Sequence, residues 1–190
     1  GVTLSSELKG IDFEASVGEV VGLAGLDGAG VRELMAVVFG ERRVGKGNVT
    51  LPNGRRGPRT IEEAVKSGVA LIPSDRKAKG AMLNQTVYEN IAQVTVGTLG
   101  RSGFLLQQQP MLDAANEWGR TLHIKMQSVY SRLGELSGGN QQKVVFAKWL
   151  QMNPVVVILD DPTRGVDVGA KGEMHSIIRD LAQQGRVVLF

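Results

Sequence analysis

One stretch near the N-terminus restricts the fold more than any other. Val20 to Ala24 is an apolar run with one glycine, typical of a buried strand. The loop Gly25 to Gly30 is half glycine, and Val31 to Phe39 then has the broad apolar face of a helix. A strand, a glycine-rich loop and a helix in this order form the phosphate-binding unit of α/β folds.

The rest of the core pattern agrees with an α/β fold. Strands are predicted at Val69–Ile72, Val155–Leu159 and Arg186–Phe190, and the second of these is apolar throughout, as in a strand buried on both faces. Ala170 to Gln183 has apolar residues at helical spacing. Because the chain stops within a predicted strand, we expect it to be a piece of a longer protein.

The N-terminal region is predicted to add an antiparallel β region. Residues 8 to 24 have strand-like alternation, and a further short strand is expected at Asn48–Leu51. Thr60 is predicted to cap a helix that runs through Ser67, with Glu63 completing a capping box. Residues 74 to 85 are predicted to be a polar loop.

A block from 86 to 134 lacks strand signals and is predicted to form an inserted helical subdomain. Its two candidate helices are Val87–Val94 and Gln109–Leu122. We therefore predict a single domain over 1–190, with a core formed by 1–85 and 135–190 and the helical subdomain at 86–134.

Composition excludes several classes of protein. The chain has no cysteine, which excludes disulfides, thiolate catalysis and cysteine-based zinc sites. Its net charge of +3 suits phosphate ligands and is too small to indicate nucleic acid. Val155–Leu159 is the longest purely aliphatic run and is far too short to span a membrane. The first residues lack the basic-then-apolar pattern expected of a signal segment.

The stretch Leu136–Lys143 is the most specific motif. A serine and two glycines stand directly before a helix-forming run, so a hydroxyl, free backbone N–H groups and a positive helix end can face an anion. The run resembles the signature motif of ATP-binding-cassette (ABC) ATPases, in particular of the sugar-importer branch. The signature residues are Ser137, Gly138, Gly139, Asn140 and Gln141.

The glycine loop has the spacing of a P-loop but lacks the lysine and the hydroxyl residue that normally follow it. A competent P-loop continues with Lys, which reaches the phosphates, and Ser or Thr, which binds Mg²⁺, whereas this chain has Val31 and Arg32. Three interpretations are open: weak nucleotide binding through backbone amides, a relic that binds nothing, or an ordinary strand–helix turn. We favour the first. The candidate nucleotide-binding residues are Gly25, Asp27, Gly28, Ala29, Gly30, Val31 and Arg32.

The strand Val155–Leu159 leads into Asp160 and Asp161 and resembles a Walker B segment. Asp160 matches the Mg²⁺ ligand of that motif. Asp161 holds the place of a catalytic Glu and is shorter by one methylene, which can cost on the order of 10²-fold in rate. The alternative for both is a pair of acidic residues that cap a turn before Pro162.

Two further positions follow from the resemblance. Asp167 matches the D-loop and would lie at a dimer seam, and it can also cap the next helix. Ser74 holds the Q-loop position. Sugar-importer domains have a sequence resembling Pro-Glu-Asp-Arg there, and this chain has Ser74 in place of its glutamate. Direct contact of this position with Mg²⁺ or water is therefore in doubt. The family's switch histidine would lie beyond residue 190.

The resemblance implies an ATPase with a division of labour. It predicts an ATP-binding, Mg²⁺-using component of a ribose, xylose or galactose importer, peripheral on the cytoplasmic face of the membrane. Its implied partners are a second nucleotide-binding domain in the same protein, membrane permeases and, indirectly, a sugar-binding protein, but no nucleic acid. A non-transport ABC ATPase and a regulatory domain without nucleotide are the alternatives. The sequence does not identify which sugar is transported.

Overall fold

The computed structural model describes residues 2–3, 10–26, 28–96, 101–102 and 105–190. The strands, numbered in chain order, are β1 Val2–Thr3, β2 Val20–Val21, β3 Lys46–Gly47, β4 Val69–Ile72, β5 Arg101–Ser102, β6 Leu105–Leu106, β7 Val156–Leu159 and β8 Val187–Leu189. The helices are α1 Val31–Val38, α2 Ile61–Lys66, α3 Val87–Ala92, α4 Gln108–Thr121, α5 Gly138–Leu150 and α6 Val168–Gln183. A π-helix spans Arg76–Gly80, and a 3₁₀-helix spans Leu133–Glu135.

The central sheet has the strand order β2-β8-β7-β4. Strand β8 pairs in parallel with both β2 and β7, and Val157 lies opposite Val188. All residues of β7 and β8 are buried, as expected for parallel strands covered on both faces. This confirms the predicted α/β core and places Asp160 directly after the buried strand β7.

The N-terminal region contains less strand than predicted. Within the described part of residues 8 to 24, only Val20–Val21 forms a named strand, and Ile11 makes an isolated bridge. The antiparallel pair joins β1 to β3, with Val2 opposite Gly47. The strand expected at Asn48–Leu51 is instead a single bridge between Thr50 and Arg56. Glycine and proline around this segment leave too few consecutive pairing residues for a longer ladder.

Helix caps differ from the prediction in one detail. Thr60 caps α2 by accepting the N–H of Glu63, as expected. The Glu63 carboxylate, however, accepts the N–H of Arg59 at 2.8 Å, so the predicted capping box is not formed. A complete box starts α3, where Thr86 and Glu89 bond each other's backbone N–H groups. The Thr86 hydroxyl and, to a smaller extent, the Thr86 N–H donate to the Glu89 carboxylate, and these two hydrogen bonds lower the pKa of Glu89.

The block 86 to 134 contains the two predicted helices, as α3 and α4, and they pack against each other. It also contains strand, which the sequence did not predict, because β5 and β6 pair antiparallel. Two-residue strands carry no alternation that a sequence pattern can reveal. The segment 74 to 85, predicted as a loop, contains the π-helix.

The chain divides into two compact units. The first comprises Gly1–Leu71, Pro154–Asp160 and Ile178–Phe190. The second comprises Ile72–Asn153 and Asp161–Ile177. The predicted division at 86–134 follows the motif order rather than these units and stays a prediction. None of the helices in the described ranges is both long and apolar enough to cross a bilayer.

A buried lysine connects three segments of the second unit. Lys148, on α5, is only 5% exposed and donates hydrogen bonds to the carbonyl oxygen of Gly80 and, at 3.2 Å, to Oε1 of Gln93. Its ammonium also lies 5.8 Å from the ring centre of Trp149. Burial lowers the pKa of Lys148 to about 8.

This pKa predicts a rise in stability at alkaline pH. Between about pH 8 and 10.5 the unfolded chain keeps a proton that folded Lys148 has lost, so this group makes the free energy of unfolding increase with pH. From pH 7.5 to 10, the wild type should gain on the order of 2 kcal/mol relative to Lys148→Met in urea unfolding. Lys171→Met, which removes an exposed lysine, is the control. Parallel profiles for wild type and Lys148→Met would contradict the prediction.

Candidate functional site: a glycine loop and a signature stretch

The glycine loop of the first unit leads directly into α1. Gly30 is the N-cap residue with φ of +90°, a left-handed conformation that favours glycine, and no side chain among the described residues caps this helix end. Its carbonyl accepts the N–H of Leu34, and Ala29 N–H bonds Leu26 O within the loop. The first N–H groups of α1 are therefore available to an anion. Asp27 lies outside the described residues.

Arg32 and Asp160, predicted separately, come together in the first unit. Nε of Arg32 lies 3.4 Å from Oδ1 of Asp160, although 128 residues separate them. The Arg32 side chain is 64% exposed and that of Asp160 24%, so the ion pair is accessible to water and adds little stability. Its consequence is chemical, because a cation already faces the carboxylate that Mg²⁺ would need.

The residues around Asp160 fit Mg²⁺ poorly. Mg²⁺ requires oxygen ligands, and a P-loop provides a hydroxyl at the position that Arg32 occupies here. In the part of the chain that the structure describes, no three His, Cys, Asp or Glu side chains lie close enough to hold a metal ion. A metal at Asp160 would also have to displace the guanidinium or share the carboxylate with it.

The signature stretch lies in the second unit at the start of α5. Ser137 is exposed and is the N-cap residue, and its Oγ accepts the side-chain amide of Asn140 at 2.8 Å. Oδ1 of Asn140 in turn accepts the N–H of Lys125 at 2.8 Å. Lys143 is buried, donates to the carbonyl oxygen of His123 and pairs with Glu173 at 2.6 Å. The helix end is thus held by side chains on both sides while Ser137 faces solvent.

Two acidic candidates of the second unit have different surroundings. Asp161 is exposed, and its φ of +43° lies in the left-handed region, where Asp is among the more tolerant residues. Thr163 Oγ1 lies 3.3 Å from its carboxylate. Oδ1 of Asp167 accepts the N–H of Ala170 at 2.8 Å, so Asp167 caps α6 as the sequence allowed.

The segment around Ser74 contains contacts that the sequence analysis missed. Ser74 is half-buried, and its neighbour Asp75 caps the π-helix by accepting the N–H groups of Lys77 and Ala78. Next to them, Arg76 donates from Nε to Oε1 of Gln141 in the signature stretch. Arg76 stood in the sequence two residues after the Q-loop position, but no spacing rule links it to a residue 65 positions away.

A direct match to a family model identifies the family of this chain. Residues 8–164 match the family model described as ABC transporter. The chain belongs to this family. The match covers the glycine loop, the signature stretch and both acidic residues after β7.

Several curated proteins are similar to the chain over nearly all of its length. The ribose import ATP-binding protein RbsA of Geobacillus kaustophilus is 41% identical over 188 residues, covering 99% of this chain and 38% of that protein. RbsA 1 of Streptomyces avermitilis is 40% identical over 189 residues, covering 100% and 36%. A putative ribose/galactose/methyl galactoside import ATP-binding protein of G. kaustophilus is 37% identical, covering 100% and 37%. The chain spans little more than a third of the length of these relatives.

Solved structures show the same fold. A nucleotide-free ATP-binding cassette from an ABC transporter has a TM-score of 0.80 at 21% identity, covering 99% of this chain and 77% of that chain. A dimeric cassette in a post-hydrolysis state, bound to ADP and Pi, has a TM-score of 0.78 at 18% identity, covering 98% and 82%. The predicted P-loop NTPase core is therefore confirmed.

Proposed function

We propose that this chain is an ATP-binding component of a carbohydrate ABC importer, and that it acts chiefly on ATP held by a second nucleotide-binding domain. Its similarity to ribose and galactoside import ATP-binding proteins supports the transport role. The observation that carries the division of labour is the contrast between exposed Ser137 at an anion-binding helix end and Arg32 paired to Asp160.

The chain's own nucleotide site is proposed to bind weakly and to hydrolyse slowly or not at all. Val31 has no positive charge to attract the phosphates. Arg32 has no oxygen that could bind Mg²⁺, and it pairs with Asp160, the candidate Mg²⁺ ligand. Asp161 remains the candidate catalytic base, with a shorter reach than Glu. When Mg²⁺ is bound in an ABC site it neutralises developing phosphate charge, and here that chemistry belongs to the partner's site.

The proposed assembly follows from the signature's need for a partner. Ser137 and the N–H groups of Gly138 and Gly139 would contact the phosphates of an ATP bound to the second domain's P-loop, with Asp167 near the seam. Permeases in the membrane would receive the resulting motion, and the chain would then lie on the cytoplasmic face of the membrane. The sugar-binding protein would interact only through the permeases.

Ser137→Arg in the full-length subunit, assembled with its permeases, should abolish transport-coupled ATPase activity. The larger, positively charged side chain would fill the space that a phosphate requires and remove the capping hydroxyl. We expect a drop of at least 10²-fold in kcat, measured by phosphate release. Glu117→Arg, at an exposed position of α4, is the control and should retain most activity. Near-normal turnover of Ser137→Arg would refute the proposed role.

The degenerate P-loop predicts weak Mg-ATP binding by the isolated chain and a gain on repair. Val31→Lys with Arg32→Ser restores a phosphate-binding cation and a hydroxyl and frees Asp160 from its ion pair, so affinity should rise at least tenfold. Isothermal titration with Mg-ATP measures this, and Arg42→Ser, outside the loop, is the control. Micromolar affinity together with turnover above about 1 s⁻¹ in the unmodified chain would contradict the proposal.

A further inference from the structure

Arg76 bonds to two of the motifs that the sequence analysis treated separately. Its Nε donates to Oε1 of Gln141 at 3.2 Å, its Nη1 to the carbonyl oxygen of Arg164 at 3.3 Å, and its Nη2 to that of Gly165 at 3.4 Å. Arg76 itself lies in the π-helix that follows the Q-loop position Ser74. All of these residues belong to the second unit. One guanidinium therefore joins the Q-loop segment, the signature helix and the turn before the D-loop.

The contact to the signature extends to the residue before Ser137. Gln141 is 7% exposed, and its Nε2 donates to the carbonyl oxygen of Leu136 at 2.9 Å. Arg76 fixes the amide of Gln141 through Oε1, and Gln141 fixes Leu136 through Nε2. The hydrogen bonds thus run from Arg76 to the peptide group that sets the position of Ser137.

The backbone at the start of α5 is shaped around the same guanidinium. A Cβ added to Gly138 would lie 2.8 Å from Nη2 of Arg76 and 3.2 Å from the carbonyl oxygen of Gly165. A larger residue here would push the Arg76 guanidinium out of its observed position and crowd the Gly165 carbonyl oxygen. Gly138 therefore serves the packing of Arg76 as well as exposing its own N–H group.

The contact to the D-loop side reaches the next helix. The carbonyl groups of Arg164 and Gly165 immediately precede Val166 and Asp167, and Asp167 caps α6. A planar guanidinium presents five N–H donors in a rigid fork, so it can hold acceptors in different directions at once. A lysine ammonium at this position has no such fixed geometry.

We propose that Arg76 is a positioning residue that fixes the signature stretch and the D-loop turn relative to each other. This inference rests on the proposed function, because the positioned groups act on ATP held by the second domain. The partner's P-loop would still capture ATP without Arg76, but Ser137 and Asp167 would no longer meet it together. A loss of Arg76 should therefore lower kcat far more than it raises KM.

Two measurements test the proposal on the same variants. In the full-length subunit with its permeases, Arg76→Met should lower kcat for Mg-ATP at least tenfold with KM changed by less than about threefold. In the nucleotide-free protein, hydrogen exchange should accelerate at residues 164–167 and at the first turn of α5. Lys77→Met, which removes an exposed positive charge one position away, is the matched control and should change neither.

The outcomes separate this proposal from the function on which it rests. Unchanged kcat, or unchanged exchange in both segments, would overturn the role of Arg76 while the transport function stands. A rise of KM of at least tenfold with kcat preserved would also overturn it. If Arg76→Met fails to fold, Arg76→Lys replaces it. Lysine donates from one nitrogen, whereas Arg76 reaches its three acceptors from three different nitrogens, so the same split between kcat and KM is expected at smaller size. Wild type without ATPase activity would refute the proposed function itself.

Discussion

The parallel pairing of β7 with β8 is the constraint on which the first unit depends. Val156–Leu159 and Val187–Leu189 are buried throughout, so neither strand can slip by one residue without changing which side chains meet the core on each face. The strand therefore ends at a fixed place, and Asp160 emerges there next to α1. The ion pair with Arg32 follows from this placement, since the second residue of α1 lies within reach of the same sheet edge.

The two candidate anion-binding features of the chain differ in their electrostatics. At the glycine loop, a formal positive charge on Arg32 faces a carboxylate, and each partly cancels the field that the other would present to a phosphate or a metal ion. At the signature stretch, exposed Ser137 stands at an end of α5 where neutral N–H groups and the helix dipole provide the attraction. An anion at that helix end would not have to break an ion pair of the kind that Arg32 forms with Asp160.

Apolar periodicity made much of the fold predictable, and its absence explains the rest. Val69–Ile72 matches its predicted strand, and α5 begins directly after Ser137, because burial and capping are local signals. The β5–β6 hairpin and the Arg76–Gly80 π-helix have no such period. In the site, residue identities were readable from motif spacing, whereas contacts across 65 to 128 positions were not, since they depend on how elements pack.

A group that acts on another molecule's phosphate gains most from being held rigidly before contact, since ordering it on binding would cost affinity and rate. Under the proposed function, the second unit would meet this requirement with neutral acceptors. Gln141 and the carbonyl oxygens of Arg164 and Gly165 take up the donors of Arg76 without cancelling its charge. The positive guanidinium next to Gly138 thus adds to the positive end of the helix dipole. The charge of Arg32, in contrast, is partly neutralised by Asp160. The same residue type would therefore strengthen one proposed phosphate site and weaken the other, and the difference lies in what each arginine contacts.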